Sequence, residues 1–299
     1  MMLPKTIASI ITAIFLTGSL SLARELPEYI LQMGDPGESY AILVDKKTQT
    51  LYLYNSGAEG PELVKRYRCT TGKNNNGTKI MEGDKKTPNG IYFFRGRLDG
   101  SKLPEKYGAM AFTMDYPNDY DRRDNKTGYG IWMHSVDDDS RVYVSYDTEG
   151  CVVVTNDDIR DLSRYITLRD TPIIIDDSLF TAPENLIETE RHELASLVER
   201  WRASWSGKDI DTYMDCYHEE FTGKLGMDKK AWREYKSHLN RQYRTIEVKV
   251  SDLKIWRHHD YVIASFIQEY KSSGLQSRGL KLLYLLKDGD GWRIFSEKM

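Results

Sequence analysis

The amino-acid sequence predicts two domains, a mostly-β domain followed by a smaller α+β domain. Its 299 residues are enough for two domains of ordinary size. Up to residue 176, short apolar stretches alternate with Gly- and Asn-rich turns, a pattern typical of β-structure. Beyond residue 176, apolar residues recur at helical spacing and are followed by further strand-like stretches. We expect a signal peptide at 1–23, an N-terminal segment at 24–37, the first domain at 38–176, a linker at 177–186 and the second domain at 187–299.

The N-terminus has the layout of a secretory signal peptide. Lys5 precedes a mostly apolar run, 7–20, and the small-x-small sequence Ser21-Leu22-Ala23 then precedes the charged residues Arg24 and Glu25. The run is shorter than the roughly 20 apolar residues that a membrane span needs. We therefore expect cleavage near Ala23, export to the periplasm or cell envelope, and no integral membrane span in the mature protein.

The first domain is predicted to contain seven strands in chain order. Each is an apolar or alternating stretch bounded by turn residues. The predicted strands are Ala41–Val44, Leu51–Tyr54, Leu63–Thr70, Gly90–Phe94, Gly130–His134, Cys151–Val154 and Thr171–Ile175.

The second domain is predicted to begin with helices and to end in a curved antiparallel sheet. Leu194, Val198, Trp201 and Trp205 recur on one helical face. Further helical stretches are expected at Asp209–Phe221 and Lys229–Arg244. The expected strands are Ile246–Val250, Tyr261–Tyr270, Leu280–Leu286 and Trp292–Phe295.

Composition excludes several classes of function. Forty-two basic against 45 acidic side chains give a net charge of −3, so no basic surface for nucleic acid is expected. A mean hydropathy of −0.58 argues against a polytopic membrane protein. Three cysteines are too few for a disulfide framework, although Cys69 and Cys216 can be imagined to pair in an oxidising compartment.

One Cys–His combination in the first domain can support nucleophilic catalysis. A thiol needs a nearby base to form thiolate at neutral pH, and His134 is the one imidazole in the same predicted domain as Cys151. Gly150, directly before the cysteine, permits backbone amides to turn toward a developing oxyanion. Taken singly, each residue has a plainer interpretation, since a lone strand cysteine is usually a small buried hydrophobe.

The motifs around these residues resemble those of the YkuD-type L,D-transpeptidases. His134-Ser135 followed by Thr148-Glu149-Gly150-Cys151-Val152 is similar to the family signature of a His before a Ser/Thr-x-Gly-Cys segment. The segment 83–92 is similar to its Gly-Asp-x-x-Thr-Pro-x-Gly-x-Tyr element. The resemblance covers 38–176 and implies a YkuD-like fold. It also implies Cys151 as the acyl-accepting nucleophile, His134 as general base and acid, the Ser135 carbonyl as orienting group and Gly150 in the oxyanion hole.

Residues flanking the pair are expected to contact substrate: Thr148, Glu149, Trp132 and Met133. Glu149 and Val153 depart from the family's commonest residues, His and Arg, so substrate handling is expected to differ. The continuation 152–159 resembles a subgroup of L,D-carboxypeptidases of cell-shape control that carry a C-terminal NTF2-like domain. Aromatic residues spread over 201–221 and 266–270 similarly resemble an NTF2-like cone.

The resemblance implies a peptidoglycan-modifying L,D-transpeptidase-type cysteine acyltransferase that acts on stem tetrapeptides. L,D-carboxypeptidation to tripeptide and a non-catalytic wall-binding scaffold are the alternatives, and a general cysteine protease is a weaker one. Thiol acyl transfer needs no cofactor and no metal, and a homodimer is compatible with the sequence. His258-His259-Asp260 is interpreted as a polar turn, because a metal site needs three or four converging ligands.

Overall fold

The computed structural model describes residues 24–289 and 291–299, so the predicted signal peptide lies outside the described residues. Among the described residues, no helix combines the length and the apolar character needed to cross a bilayer. The strands, in chain order, are β1 Glu25–Pro27, β2 Ile30–Gln32, β3 Tyr40–Asp45, β4 Thr50–Gly57, β5 Gly60–Arg68, β6 Gly90–Asp99, β7 Met110–Met114, β8 Trp132–His134, β9 Val152–Val153, β10 Pro172–Asp176, β11 Thr181–Pro183, β12 Tyr217–Thr222, β13 Ile246–His258, β14 Tyr261–Ser272, β15 Gln276–Asp288 and β16 Gly291–Lys298. The helices are α1 Asp119–Arg123, α2 Asn156–Leu162, α3 Glu184–Ser206, α4 Ile210–Asp215 and α5 Lys229–Gln242.

The first domain is built on an eight-stranded mixed sheet with the order β5-β4-β3-β10-β6-β7-β8-β9. Strand β10 runs parallel to β3 and antiparallel to β6, so it joins the opening hairpin to the later strands. Strand β9 lies at the edge and runs parallel to β8. Helix α2 follows β9 closely, because the Thr155 side chain caps it by accepting from the Asp158 amide.

The second domain is a curled six-stranded sheet packed against three helices. Its order is β12-β16-β15-β14-β13-β2, and the long helix α3 packs against it through Leu194, Val198 and Trp201. The predicted helical stretch 209–221 is wrong in its second half, because α4 ends at Asp215. Residues 217–222 pair with β16 instead, and this pairing outweighs the local helical pattern.

The N-terminal segment 24–37 contributes a strand to the sheet of the second domain. Strand β2 pairs with β13, and β1 pairs with β11 at 181–183. The segment 177–186, predicted as a linker, contains β11 and the first residues of α3.

The two domains share a buried apolar seam. Ile91 and Phe93 of the first sheet contact Tyr261 and Tyr284 of the second in one buried cluster. The Ile91 amide donates to the Tyr261 hydroxyl at 2.6 Å. Burial of both groups makes the hydrogen bond costly to break, so the seam fixes one domain against the other.

Candidate active site

Strand pairing brings His134 and Cys151 to the same edge of the first sheet. In the β8–β9 ladder, Met133 lies opposite Val152 and His134 opposite Val153. Cys151 directly precedes β9 and is half-buried, whereas His134 is buried with 7% of its surface exposed. Residues 17 positions apart therefore become neighbours through one parallel pairing.

The His134 imidazole is held in one tautomer. Its Nδ1 lies 2.5 Å from the carbonyl oxygen of Ser135, and because a carbonyl only accepts, Nδ1 carries the proton. The Nε2 atom is left with its lone pair. Burial lowers the pKa of His134 to about 4, and nearby Arg141 and Lys106 act in the same direction against the Ser135 hydrogen bond. The ring is thus uncharged at neutral pH and able to accept a proton.

The Cys151 thiol is protonated in the resting structure. Burial raises its pKa, although the Trp132 backbone amide and Lys106 favour the thiolate and reduce the effect. The Sγ atom lies 3.7 Å from the carbonyl oxygen of Gly130, which accepts the thiol hydrogen. The structure therefore has a neutral thiol and a neutral imidazole on neighbouring segments of the sheet, and not a preformed thiolate–imidazolium ion pair.

The turn before Cys151 is held by Thr148. Its hydroxyl accepts from the Gly150 amide at 3.1 Å and donates to the Cys151 carbonyl at 2.7 Å. Thr148, predicted to contact substrate, is thus committed to shaping the turn. The Gly150 amide, predicted as an oxyanion donor, is occupied by the same hydroxyl. Among the hydrogen bonds of the described residues, none uses the Cys151 amide as donor, so this amide is available to a ligand.

Thr87 of the Thr-Pro motif clasps this turn from the opposite side. Its hydroxyl accepts from the Gly72 amide at 2.8 Å and donates to the Gly150 carbonyl at 3.0 Å. Both partners require glycine: a Cβ on Gly72 would lie 2.3 Å from the Lys85 carbonyl oxygen, and one on Gly150 2.7 Å from that of Lys86. Gly150 also has φ +128°, which other residues rarely adopt. Thr87 therefore joins two segments that are far apart in sequence, one at Gly72 and the other at Gly150.

The loop 72–89, which contains Thr87, is held by an ion pair between Lys79 and Asp84, whose side chains are only 4% and 11% exposed. Lys79 Nζ lies 2.7 Å from Asp84 Oδ1, and the carboxylate also accepts from the Ile80 and Lys86 amides. Burial acts to raise the pKa of Asp84, but these hydrogen bonds outweigh it and lower the pKa.

Aromatic rings form one wall of the site. Tyr107 meets His134 edge-on with ring centroids 4.9 Å apart, and lies 5.1 Å from the Trp132 ring. Half-buried Trp132 lies beside Tyr107 in this wall, and its contact with substrate stays a prediction. Met133 cannot contact substrate as predicted, because its side chain alternates to the other face of β8 and is fully buried. Tyr107 escaped prediction because no motif marks the 3₁₀ turn that carries it.

The rim of the site carries charge. The Glu149 carboxylate lies 3.1 Å from Lys73 Nζ and 3.3 Å from Lys85 Nζ. The Lys73 hydrogen bond and Lys85 hold the pKa of Glu149 below its usual range. Glu149, predicted to contact substrate, is exposed two residues before Cys151. Its position allows it to meet a bound peptide.

The other two cysteines are buried thiols. Cys69 and Cys216 are both free and fully buried, in the cores of different domains, so the imagined disulfide between them does not form. Burial raises the pKa of Cys69 to about 12, which makes its thiol inert at neutral pH.

Comparison with known proteins places the chain in a family. The model of the YkuD family, described as an L,D-transpeptidase catalytic domain, matches residues 39–175. The solved structure of Bd1075 from Bdellovibrio bacteriovorus is 37% identical, covers 92% of this chain and 98% of its own, and superposes with a TM-score of 0.78. The chain belongs to the YkuD L,D-transpeptidase family. A comparison with curated proteins found no match.

The second domain also matches a family model. The Cds6 C-terminal NTF2-like domain matches residues 193–298. The predicted fold class, a mostly-β YkuD-like domain plus a smaller α+β NTF2-like cone, is confirmed. The helical cell shape determining protein Pgp2 from Campylobacter jejuni has the same fold, with a TM-score of 0.71 at 24% identity over 90% of this chain and 95% of its own.

Proposed function

We propose that the chain is a peptidoglycan-modifying L,D-transpeptidase-type cysteine acyltransferase. The substrate bond joins the L-centre of the third stem residue to a terminal D-residue. The observation that carries the proposal is the His134–Ser135 hydrogen bond, which leaves Nε2 as a neutral base on the strand beside Cys151. Membership of the YkuD family supports the class of reaction.

In the acylation step, the Cys151 sulfur attacks the carbonyl carbon while its proton passes to His134 Nε2. The negative oxygen of the tetrahedral intermediate accepts from the Cys151 amide. The intermediate then expels the amine of the D-residue, which takes the proton back from His134, and a thioester remains. A ring of pKa about 4 is a weak base, so substrate binding that alters its surroundings is expected to assist the transfer.

The acceptor decides the outcome of the second step. An amine gives transpeptidation, and water gives L,D-carboxypeptidation of tetrapeptide to tripeptide. The second outcome is a specific candidate, because the L,D-carboxypeptidase subgroup that 152–159 resembles also carries a C-terminal NTF2-like domain, and residues 193–298 match such a domain. Neither reaction requires a cofactor. A peptidoglycan substrate and the predicted signal peptide both support a location in the periplasm or cell envelope.

The proposal is tested by mass spectrometry of a disaccharide-tetrapeptide incubated with the protein, with and without an added D-amino acid. Loss of the terminal D-residue regardless of additive identifies a carboxypeptidase, and exchange or a cross-linked dimer identifies a transpeptidase. Cys151→Ala should abolish either product, whereas Cys216→Ala, which removes a buried thiol in the other domain, should retain it. A wild type as inactive as Cys151→Ala would favour the wall-binding scaffold, and cleavage of an ordinary all-L peptide would favour a general cysteine protease.

A further inference from the structure

Three potential metal ligands meet where the two domains join. Asp176 ends β10 of the first domain, His258 ends β13 of the second, and His259 is the first residue of the turn that follows β13. His259 Nε2 lies 2.9 Å and His258 Nε2 3.9 Å from the same Asp176 oxygen, Oδ2. All three ligand atoms lie within 4.8 Å of one another.

The Asp176 carboxylate is oriented by groups that are not themselves ligands. The Tyr29 hydroxyl donates to Oδ2 at 2.8 Å, and the Asp177 amide donates to Oδ1 at 2.7 Å. Asp176 is 3% and His258 5% exposed. Outer hydrogen bonds of this kind fix the direction of a ligating carboxylate and strengthen metal binding.

The donor set selects the class of ion. Two imidazole nitrogens and one carboxylate oxygen suit Zn²⁺ and its first-row neighbours, whereas Ca²⁺ and Mg²⁺ prefer oxygen ligands throughout. Tetrahedral zinc with bonds of about 2.0–2.2 Å sets its ligand atoms about 3.3 Å apart. The two measured spacings, 2.9 and 3.9 Å, lie on either side of that value. We propose that Asp176, His258 and His259 bind a divalent transition-metal ion, best Zn²⁺, which clamps the two domains together.

The half-exposed side chain of His259 leaves the site open on one side, where water completes the coordination. Binding changes the existing hydrogen bonds. His258 Nε2 lies 3.2 Å from the Ile175 carbonyl, so in the metal-free protein it carries the proton and donates it. On metal binding this proton moves to Nδ1, and the lone pair of Nε2 turns to the ion. His259 Nε2, which lies 2.9 Å from Asp176 Oδ2, binds the ion through its lone pair when the ring proton is on Nδ1.

The sequence conceals this site because its third ligand comes from the other domain. The adjacent acidic residue, Asp260, suggested a local His-His-Asp cluster that was interpreted as a polar turn. The fold replaces it with Asp176, which completes the minimum of three protein ligands.

The test is calorimetric titration of tag-free, chelator-treated protein with ZnCl₂. The expected result is one site per chain, a binding constant weakened at least 100-fold in His259→Asn and Asp176→Asn, and about tenfold or more in Tyr29→Phe. His238→Asn, which alters an exposed histidine elsewhere, is the matched control and should bind as the wild type does. Co²⁺ in place of Zn²⁺ should show the visible absorption of a tetrahedral site. Zinc at about 100 times its dissociation constant should raise the melting temperature by about 5 °C.

His259→Asn keeps the test decisive if Asp176→Asn does not fold, because the His259 side chain is half-exposed. Absence of zinc binding by the wild type would overturn the proposal. So would a folded His259→Asn that binds zinc as tightly as the wild type.

Discussion

Replacing Thr87 with Val should loosen the turn that carries Cys151. Valine has nearly the same shape, so it opens no cavity, but it leaves the Gly72 amide and the Gly150 carbonyl without their buried partner. Thr87 is 1% exposed, so water cannot readily replace the hydroxyl. An unsatisfied buried polar group costs about 1–3 kcal/mol. With partial relaxation of the loop, we expect the two groups together to lower the free energy of unfolding by about 2–4 kcal/mol.

The assay is urea unfolding of wild type and variant at the same pH, beside tetrapeptide turnover under conditions where both remain folded. Turnover should fall at least tenfold because the turn positions the nucleophile. Thr87→Ser keeps the hydroxyl and should recover most of both properties. Thr127→Val is the matched control, since its exposed hydroxyl accepts a single long bond of 3.3 Å from the Glu82 amide. The role of the Thr87 hydroxyl would be refuted if Thr87→Val were fully active and its free energy of unfolding lay within about 0.5 kcal/mol of the wild-type value, which is the scatter of neutral surface substitutions.

Three further predictions concern the thiol, the turn and the seam. Burial raises the pKa of Cys151 and lowers the pKa of His134 to about 4, so the reactive thiolate should form only as the pH rises. The rate of Cys151 alkylation by iodoacetamide should therefore increase about tenfold per pH unit between pH 6 and 8. A rate independent of pH across that range would indicate a preformed thiolate–imidazolium ion pair instead. Gly150→Ala should abolish turnover and cost about 1–3 kcal/mol through its positive φ and the close Lys86 carbonyl. Gly77→Ala shares a positive φ (+75°) but places its Cβ more than 4 Å from other atoms, so it should cost less and keep its activity; equal activity of the two variants would contradict this. Tyr261→Phe should lower the free energy of unfolding by about 1–3 kcal/mol, because the Ile91 amide loses its acceptor. Tyr129→Phe, at an exposed tyrosine, should not lower it. Equal melting temperatures of the two variants would count against the hydrogen bond between the domains.

Local pattern was sufficient to place most strands of the first domain. Continuous apolar runs mark β3 and the first half of β6, which are buried on both faces, and alternation marks β4, whose alternate residues are buried. The same reasoning failed at 217–222, where aromatic residues fit a helical face as well as a strand. Pairing with β16 decided between them, and pairing is a property of residues distant in sequence.

The candidate site divides in the same way. The candidate pair of Cys151 and His134 was readable in the sequence because few residue types can serve as nucleophile and base. The role of Tyr107 was not, since aromatic residues are common and only the packing against His134 distinguishes this one. Met133 shows the opposite error, because proximity in sequence to His134 concealed that alternate strand residues face opposite sides.

The sequence by itself determined the two-domain organisation, the family motifs and the reactive residue types, because these depend on composition, periodicity and short-range order. Tertiary structure decided which hydroxyl holds the nucleophile turn, which amide is free for an oxyanion and which carboxylate meets His258 and His259. Each of these is a hydrogen bond or close approach between residues far apart along the chain. Such contacts require the two atoms to be placed to within a few tenths of an ångström, and only the folded backbone sets their positions.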